Sequence, residues 1–221
     1  MTFAQLGEEA VLAYFPAEAE AFAFAQSLGH ANLPWLQDVV PAYASVGVFF
    51  DADAISTMDV ISALRALKIE KFETSNSRLH RIPVCYEYQL DLHRVAELKQ
   101  ITSDEVIRLH LQTIYTIYAI GFVPGFPYLG YLPDALAGMP RLNSPRVRLE
   151  PGSVGITGRQ TGLYPSAVPG GWNILGRTPL VVVDVEDEFF PLRVGDRVQF
   201  ERIDEAEFTR HVGERIPEPG N

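Results

Sequence analysis

The sequence predicts mixed α and β structure, an α+β unit in the first third of the chain followed by a β-barrel. Three observations carry this. The first eighty residues alternate between short runs rich in valine and aromatics and runs with apolar residues at helical spacing. Residues 121–179 then hold eleven of the 17 glycines and nine of the 16 prolines, a density that breaks helices and long strands but suits many short strands closing on themselves. Finally, 221 residues, 47% of them hydrophobic and 21% charged, are enough for one large core or two small ones.

Taken in order, residues 11–15 read as a short strand. Residues 18–28 read as a helix, with Phe22, Ala25 and Leu28 on one face. Residues 39–51 (VVPAYASVGVFFD) read as one strand with an irregular entry at Pro41. Ser56 followed by Asp59 starts a helix with a capping-box-like pattern, and Val60, Ile61, Leu64 and Leu67 form its apolar face. Residues 78–88 return to strand. This β-α-β-α-β succession predicts a small ferredoxin-like α+β unit over 1–81. The barrel unit, 82–207, opens with a short helix on Leu92, Val95 and Leu98. A second helix is capped by Thr102 and Glu105, and a β-branched, aromatic strand follows at 113–120. Further strands are expected at 180–184 and 197–203, the latter after the turn Val194-Gly195-Asp196. Residues 208–221 read as a polar C-terminal tail, Pro-rich and mobile after Gly213.

The formal net charge of −10 disfavours nucleic acid and anionic membrane surfaces as partners. One cysteine, Cys85, precludes an internal disulfide and fits a reducing compartment. The acidic start is unlike a signal peptide, and the apolar runs fall far short of a membrane span, so the expectation is a soluble, cytoplasmic protein.

Residues 121–179 stand apart in charge. They carry five arginines (141, 146, 148, 159 and 177), no lysine, and only Asp134 and Glu150 as acids, a local +3 in an acidic chain. Between the glycines sit Phe122, Phe126, Tyr128, Tyr131, Tyr164 and Trp172. Glycine admits a ligand close to the backbone, aromatics make rigid walls, and arginine grips a carboxylate or phosphate through two parallel bonds. Turns of an ordinary barrel also use Gly and Pro, and arginines often lie on solvated faces; the coincidence of all three features favours a site for a small anion. The stretch has no His, Cys or Lys, no G-x-S-x-G elbow and no phosphate-binding G-x-x-x-x-G-K-[ST] loop; Gly152, Gly155 and Gly158 are followed by Arg159 where such a loop needs lysine. The five histidines have no metal-ligand spacing. His110 alone lies near the stretch, and a lone helical histidine is more often structural than catalytic. The pattern is that of half an active site, rich in positioning groups and poor in groups that transfer protons.

The runs GFVPGFPYLGYLP, NSPR, PGSVGITGRQTGLYP and PGGWNILGRTP, with looser matches at IPVCY, EVIRLH and VVPAYASVGVFFD, resemble the KipI-like family. That family is also called allophanate hydrolase subunit 1 and includes the 5-oxoprolinase B subunits. The resemblance implies a cyclophilin-like barrel behind the ferredoxin-like unit, and a C-type partner subunit with a related barrel. With an A-type subunit these form an enzyme that opens 5-oxo-L-proline to L-glutamate using ATP. Other members inhibit a sensor histidine kinase, or are related to the carboxyltransferase part of urea carboxylase; a prolyl isomerase rests on fold analogy alone. One departure is the short EYQLDL after Tyr86, where the family has a Gly-rich segment. Under the enzyme reading, Arg159 and Arg177 are expected to hold carboxylate or phosphate, and Gln160, Thr161 and Tyr164 to orient the lactam. Gly170 and Gly171 would offer backbone amides, Trp172 a wall, and His110 a proton shuttle.

Overall fold

The computed structural model describes residues 1–69 and 77–217, and the chain divides into two compact units, 1–76 and 77–221. In the first, β1 (Thr2–Gln5), β2 (Ala10–Tyr14), β3 (Leu36–Ala42) and β4 (Ser45–Phe50) form an antiparallel sheet in the order β1-β2-β4-β3. Val11 and Ala13 of β2 lie opposite Val48 and Val46 of β4, and all four are fully buried. With a period of two these residues share one face of the sheet. They meet Phe24 and Leu28 of α1 (Glu18–Gly29) and Val60 and Leu64 of α2 (Thr57–Ala66) in a single core. The predicted start of α2 is present: the Ser56 hydroxyl accepts the Asp59 N–H at 3.2 Å.

The succession here is β-β-α-β-β-α, not the expected β-α-β-α-β. The run 39–51 is a hairpin, reversed at Tyr43, whose φ is 54°. That reversal lacks the glycine, asparagine or proline that marks most turns, which is why it reads as continuous strand. The last expected strand of this unit, β5 (Leu79–Val84), belongs instead to the second unit, where it pairs in parallel with β13 (Arg197–Arg202). The division at 76/77 therefore falls earlier than the expected 81/82.

The second unit is built on a seven-stranded mixed sheet, order β12-β9-β10-β7-β6-β13-β5. Its remaining strands are β6 (Tyr115–Ile120), β7 (Pro127–Gly130), β9 (Ser153–Thr157), β10 (Gln160–Leu163) and β12 (Asn173–Arg177). The edges β5 and β12 are joined by one residue pair: the Cys85 N–H donates to the Arg177 carbonyl (2.8 Å) and the Arg177 N–H to the Cys85 carbonyl (3.0 Å). The sheet is thus a nearly closed barrel. β8 (Arg146–Leu149) and β11 (Val168–Gly170) form a separate two-stranded ribbon. A 3₁₀ turn at Tyr86–Tyr88 leads to α3 (Leu92–Lys99) and α4 (Ser103–Leu111), the latter capped by the Thr102 hydroxyl on the Glu105 N–H as expected (3.1 Å). Residues 180–184 are not a ladder strand; Val181 bridges Arg215 and Asp184 bridges Phe189. Nor are residues 208–217 merely a polar tail: Phe208 of α5 (Glu205–His211) and, beyond Gly213, Ile216 are buried, two apolar anchors in a polar run. The final residues of the expected tail, 218–221, lie outside the described residues. No described helix is long and apolar enough to cross a membrane.

Candidate functional site

A cavity of about 200 Å³ opens where the two-stranded ribbon meets the barrel. Its walls are aromatic. Phe126, Tyr164 and Trp172 are buried and meet edge to face, with ring centroids 5.0–6.4 Å apart. Such pairs each contribute about 0.5–1.5 kcal/mol beyond their buried area. Tyr128 packs against Phe126 and Trp172, and Phe122, 62% exposed, stands at the rim. Glycine makes this packing possible. A Cβ on Gly162 would lie 2.7 Å from ring atoms of both Phe126 and Trp172, and one on Gly170 would lie 2.7 Å from the Tyr164 hydroxyl.

The ribbon is tied down by a buried carboxylate. Asp91 accepts two bonds from the Arg146 guanidinium (2.7 and 2.9 Å) and one from the Ile174 N–H (2.8 Å). This links α3, β8 and β12 behind the cavity. Removing Arg146 would leave the buried Asp91 carboxylate without its charge partner, a structural role for this arginine.

Arg141 lies between two clamps. The Asn173 side-chain amide donates to the Pro140 carbonyl (2.9 Å), and the Leu142 N–H donates to the Gly171 carbonyl (2.8 Å). The guanidinium of Arg141 lines the cavity, and among the described residues it has no ion-pair or hydrogen-bond partner. Burial pushes the Tyr164 hydroxyl up to about 12, against the opposing influence of the Trp172 backbone N–H and of Arg141. Tyr128 is raised by burial too, with Arg141 opposing. The lining contains no carboxylate, histidine or thiol, so nothing in it moves a proton near neutral pH.

Of the residues expected at a site, Tyr164, Gly170, Gly171 and Trp172 come together here. The others do not. Arg159 stacks over Tyr131, 4.7 Å from the ring centroid. Gln160 pairs in the ladder with Gly130 and Thr157. The Arg177 Nε donates to the Pro151 carbonyl (2.8 Å), and its guanidinium lies over Phe208, so the side chain braces a loop. Thr161 and His110 are both fully buried in the barrel. Thr161 donates to the Gly155 carbonyl (3.1 Å), so its oxygen accepts from His110 Nε2 (3.0 Å). His110 Nδ1 then accepts from the Tyr86 hydroxyl (2.7 Å). Every proton in the chain Tyr86–His110–Thr161–Gly155 is assigned, and it ends in a backbone carbonyl. His110 is a satisfied core residue, stacked on Phe200, whose burial lowers its pKa to about 3. It is no shuttle for the cavity. Among the described residues no cluster of three or more His, Cys, Asp or Glu could hold a metal.

The family model of the carboxyltransferase domain, subdomain C and D, matches residues 1–191, and the chain belongs to that family. It is 36% identical to the B subunit of 5-oxoprolinase from Bacillus subtilis over 95% of this chain and 96% of that one. The corresponding protein of Haemophilus influenzae is 37% identical over 90% of this chain and 97% of the relative. Among solved structures, TTHA0988 superposes with a TM-score of 0.78 at 35% identity; the match covers 95% of this chain but only 41% of that longer one. The Kluyveromyces lactis urea carboxylase shares the fold, with a TM-score of 0.74 at 18% identity over 95% of this chain and 22% of the enzyme.

Proposed function

We propose that this chain is the B-type component of an ATP-dependent 5-oxoprolinase, which opens 5-oxo-L-proline to L-glutamate together with A- and C-type subunits. The end-to-end match to relatives of that name supports the assignment. The observation that carries the division of labour is the cavity itself: aromatic walls and one unpaired guanidinium, with no proton-transfer group. Opening a lactam requires activation of the amide oxygen, expected through phosphorylation, and stabilisation of the developing anion. This chain supplies positioning, and the proton transfers belong to its partners.

At about 200 Å³ the cavity lies below the usual range of about 300–1,000 Å³ for sites of larger ligands, which favours a ligand smaller than ATP. No G-x-x-x-x-G-K-[ST] loop compensates. The nucleotide is therefore assigned to a partner. TTHA0988, more than twice as long as the shared part, carries further polypeptide beside the same fold, which is consistent with a working partner.

The test is reconstitution. The purified chain alone should neither consume 5-oxoproline nor hydrolyse ATP. Co-expressed with A- and C-type subunits, it should co-migrate on size exclusion and show 5-oxoproline-dependent ATP hydrolysis. Turnover by the single chain would refute the division of labour, and separate migration with no activity would refute the assignment to this enzyme.

A further inference from the structure

We propose that Arg141 is the carboxylate anchor of the cavity and that its ligand is a small, flat ring bearing one carboxylate. That the ring is 5-oxoproline rests on the 5-oxoprolinase reading above; the anchor and the ligand class rest on the geometry.

The five arginines of residues 121–179 differ in how their charge is satisfied. Arg146 is held by Asp91, and Arg148 pairs with Glu150 at 3.1 Å. Arg159 lies over Tyr131, and Arg177 has the Pro151 carbonyl and Phe208. Arg141 alone of the five lacks an ion pair, a side-chain hydrogen bond or a ring beneath it among the described residues. Its backbone, by contrast, is fixed on both sides by the Pro140–Asn173 and Leu142–Gly171 bonds. A charged group held in place at its root and unpaired at its tip is preorganised for an incoming partner, which saves ordering cost on binding.

The surroundings define that partner. No acidic side chain lines the cavity, so an anion meets no repulsion there despite the chain's net charge of −10. Guanidinium geometry favours a carboxylate through two parallel bonds. Trp172 and Tyr164 edge the cavity with aromatic surface, and Gly171, where a Cβ would meet nothing closer than 3.6 Å, leaves the backbone open to a ligand. The volume, about 200 Å³, suits a five-membered ring with its substituents better than a nucleotide.

The experiment is calorimetric titration of the chain, alone and within the reconstituted complex, with three probes: 5-oxo-L-proline, pyrrolidin-2-one (the ring without the carboxylate) and acetate (the carboxylate without the ring). Wild-type protein should bind 5-oxoproline more tightly than either fragment. Arg141→Gln should weaken 5-oxoproline by about tenfold to a hundredfold, the scale of a charge-assisted hydrogen bond, and leave pyrrolidin-2-one unchanged. Arg141→Lys should lose part of that affinity. Because Arg141 is exposed and unpaired, neither substitution should move Tm. Unchanged binding of 5-oxoproline by Arg141→Gln, or no binding by either form of the wild type, overturns the proposal. Turnover by the complex with the KM of Arg141→Gln unaltered overturns the anchor and leaves the 5-oxoprolinase reading standing. Binding through Arg141 without turnover does the reverse.

Discussion

At the scale of single residues, the two histidines of the barrel interior show how a group acquires a role from its neighbours. His80 faces Asp196 at 3.1 Å, whereas His110 faces a phenol and a threonine and no charge. Burial alone therefore decides the state of His110 and holds it neutral, with its pKa lowered from 6.5 to about 3. A depressed histidine pKa means that the unfolded chain takes up a proton before the folded one does. The stability this confers is fully present above pH 6.5 and is lost as pH falls from there towards 3. The slope from this one group is at most about 1.4 kcal/mol per pH unit. Urea denaturation between pH 7 and pH 4 should show that slope in the wild type and a shallower one in His110→Gln. Equal slopes would mean that His110 is not buried neutral. Choosing among the arginines is beyond local sequence for a related reason: the groups that satisfy them are remote, Asp91 lying 55 residues from Arg146 and Tyr131 lying 28 from Arg159.

Elements are legible where a local rule governs them. The Ser56 and Thr102 caps are present as expected, since a cap is decided by a side chain and a backbone N–H three residues on. The 39–51 hairpin escapes the local pattern because its reversal at Tyr43 carries none of the usual turn residues, and the 180–184 segment because its only pairing among the described residues is by single bridges to Arg215 and Phe189. Of the candidate site, the Gly170-Gly171-Trp172 turn and Tyr164 are legible through their density of glycine and aromatic residues. β10 shows what that glycine does. Gly162 sits in the strand so that Phe126 and Trp172 can close over it. Gly162→Ala should push both rings towards the cavity, with an overpacking cost of about 1–3 kcal/mol. At about 2–4 °C per kcal/mol for a chain of this size, thermal melting will resolve it. The same variant should bind 5-oxoproline more weakly. Gly121→Ala is the control, because a Cβ there meets nothing within 4 Å, and it should match the wild type in both measurements. If the two variants behave alike, close packing is not the reason for glycine at 162.

On the scale of the whole molecule, the barrel is held shut along its length by ladders, except at one place. Between β5 and β12 the closure is a single residue pair, Cys85 with Arg177. A seam joined by two such hydrogen bonds has fewer to break than the ladders on either side of it, and it should open before them. Cys85 is itself at the seam, fully buried, its thiol pushed up to about 11 by burial and by the bond to Glu87. Attack by a thiol reagent must then wait for the seam to part, which makes the labelling rate of Cys85 a clock for that opening. The amides of Cys85 and Arg177 should exchange with solvent deuterium well before those of β9 and β10, and at a rate that tracks the labelling. A partner protein that grips this edge would slow both together, turning the only cysteine of the chain into a reporter of assembly.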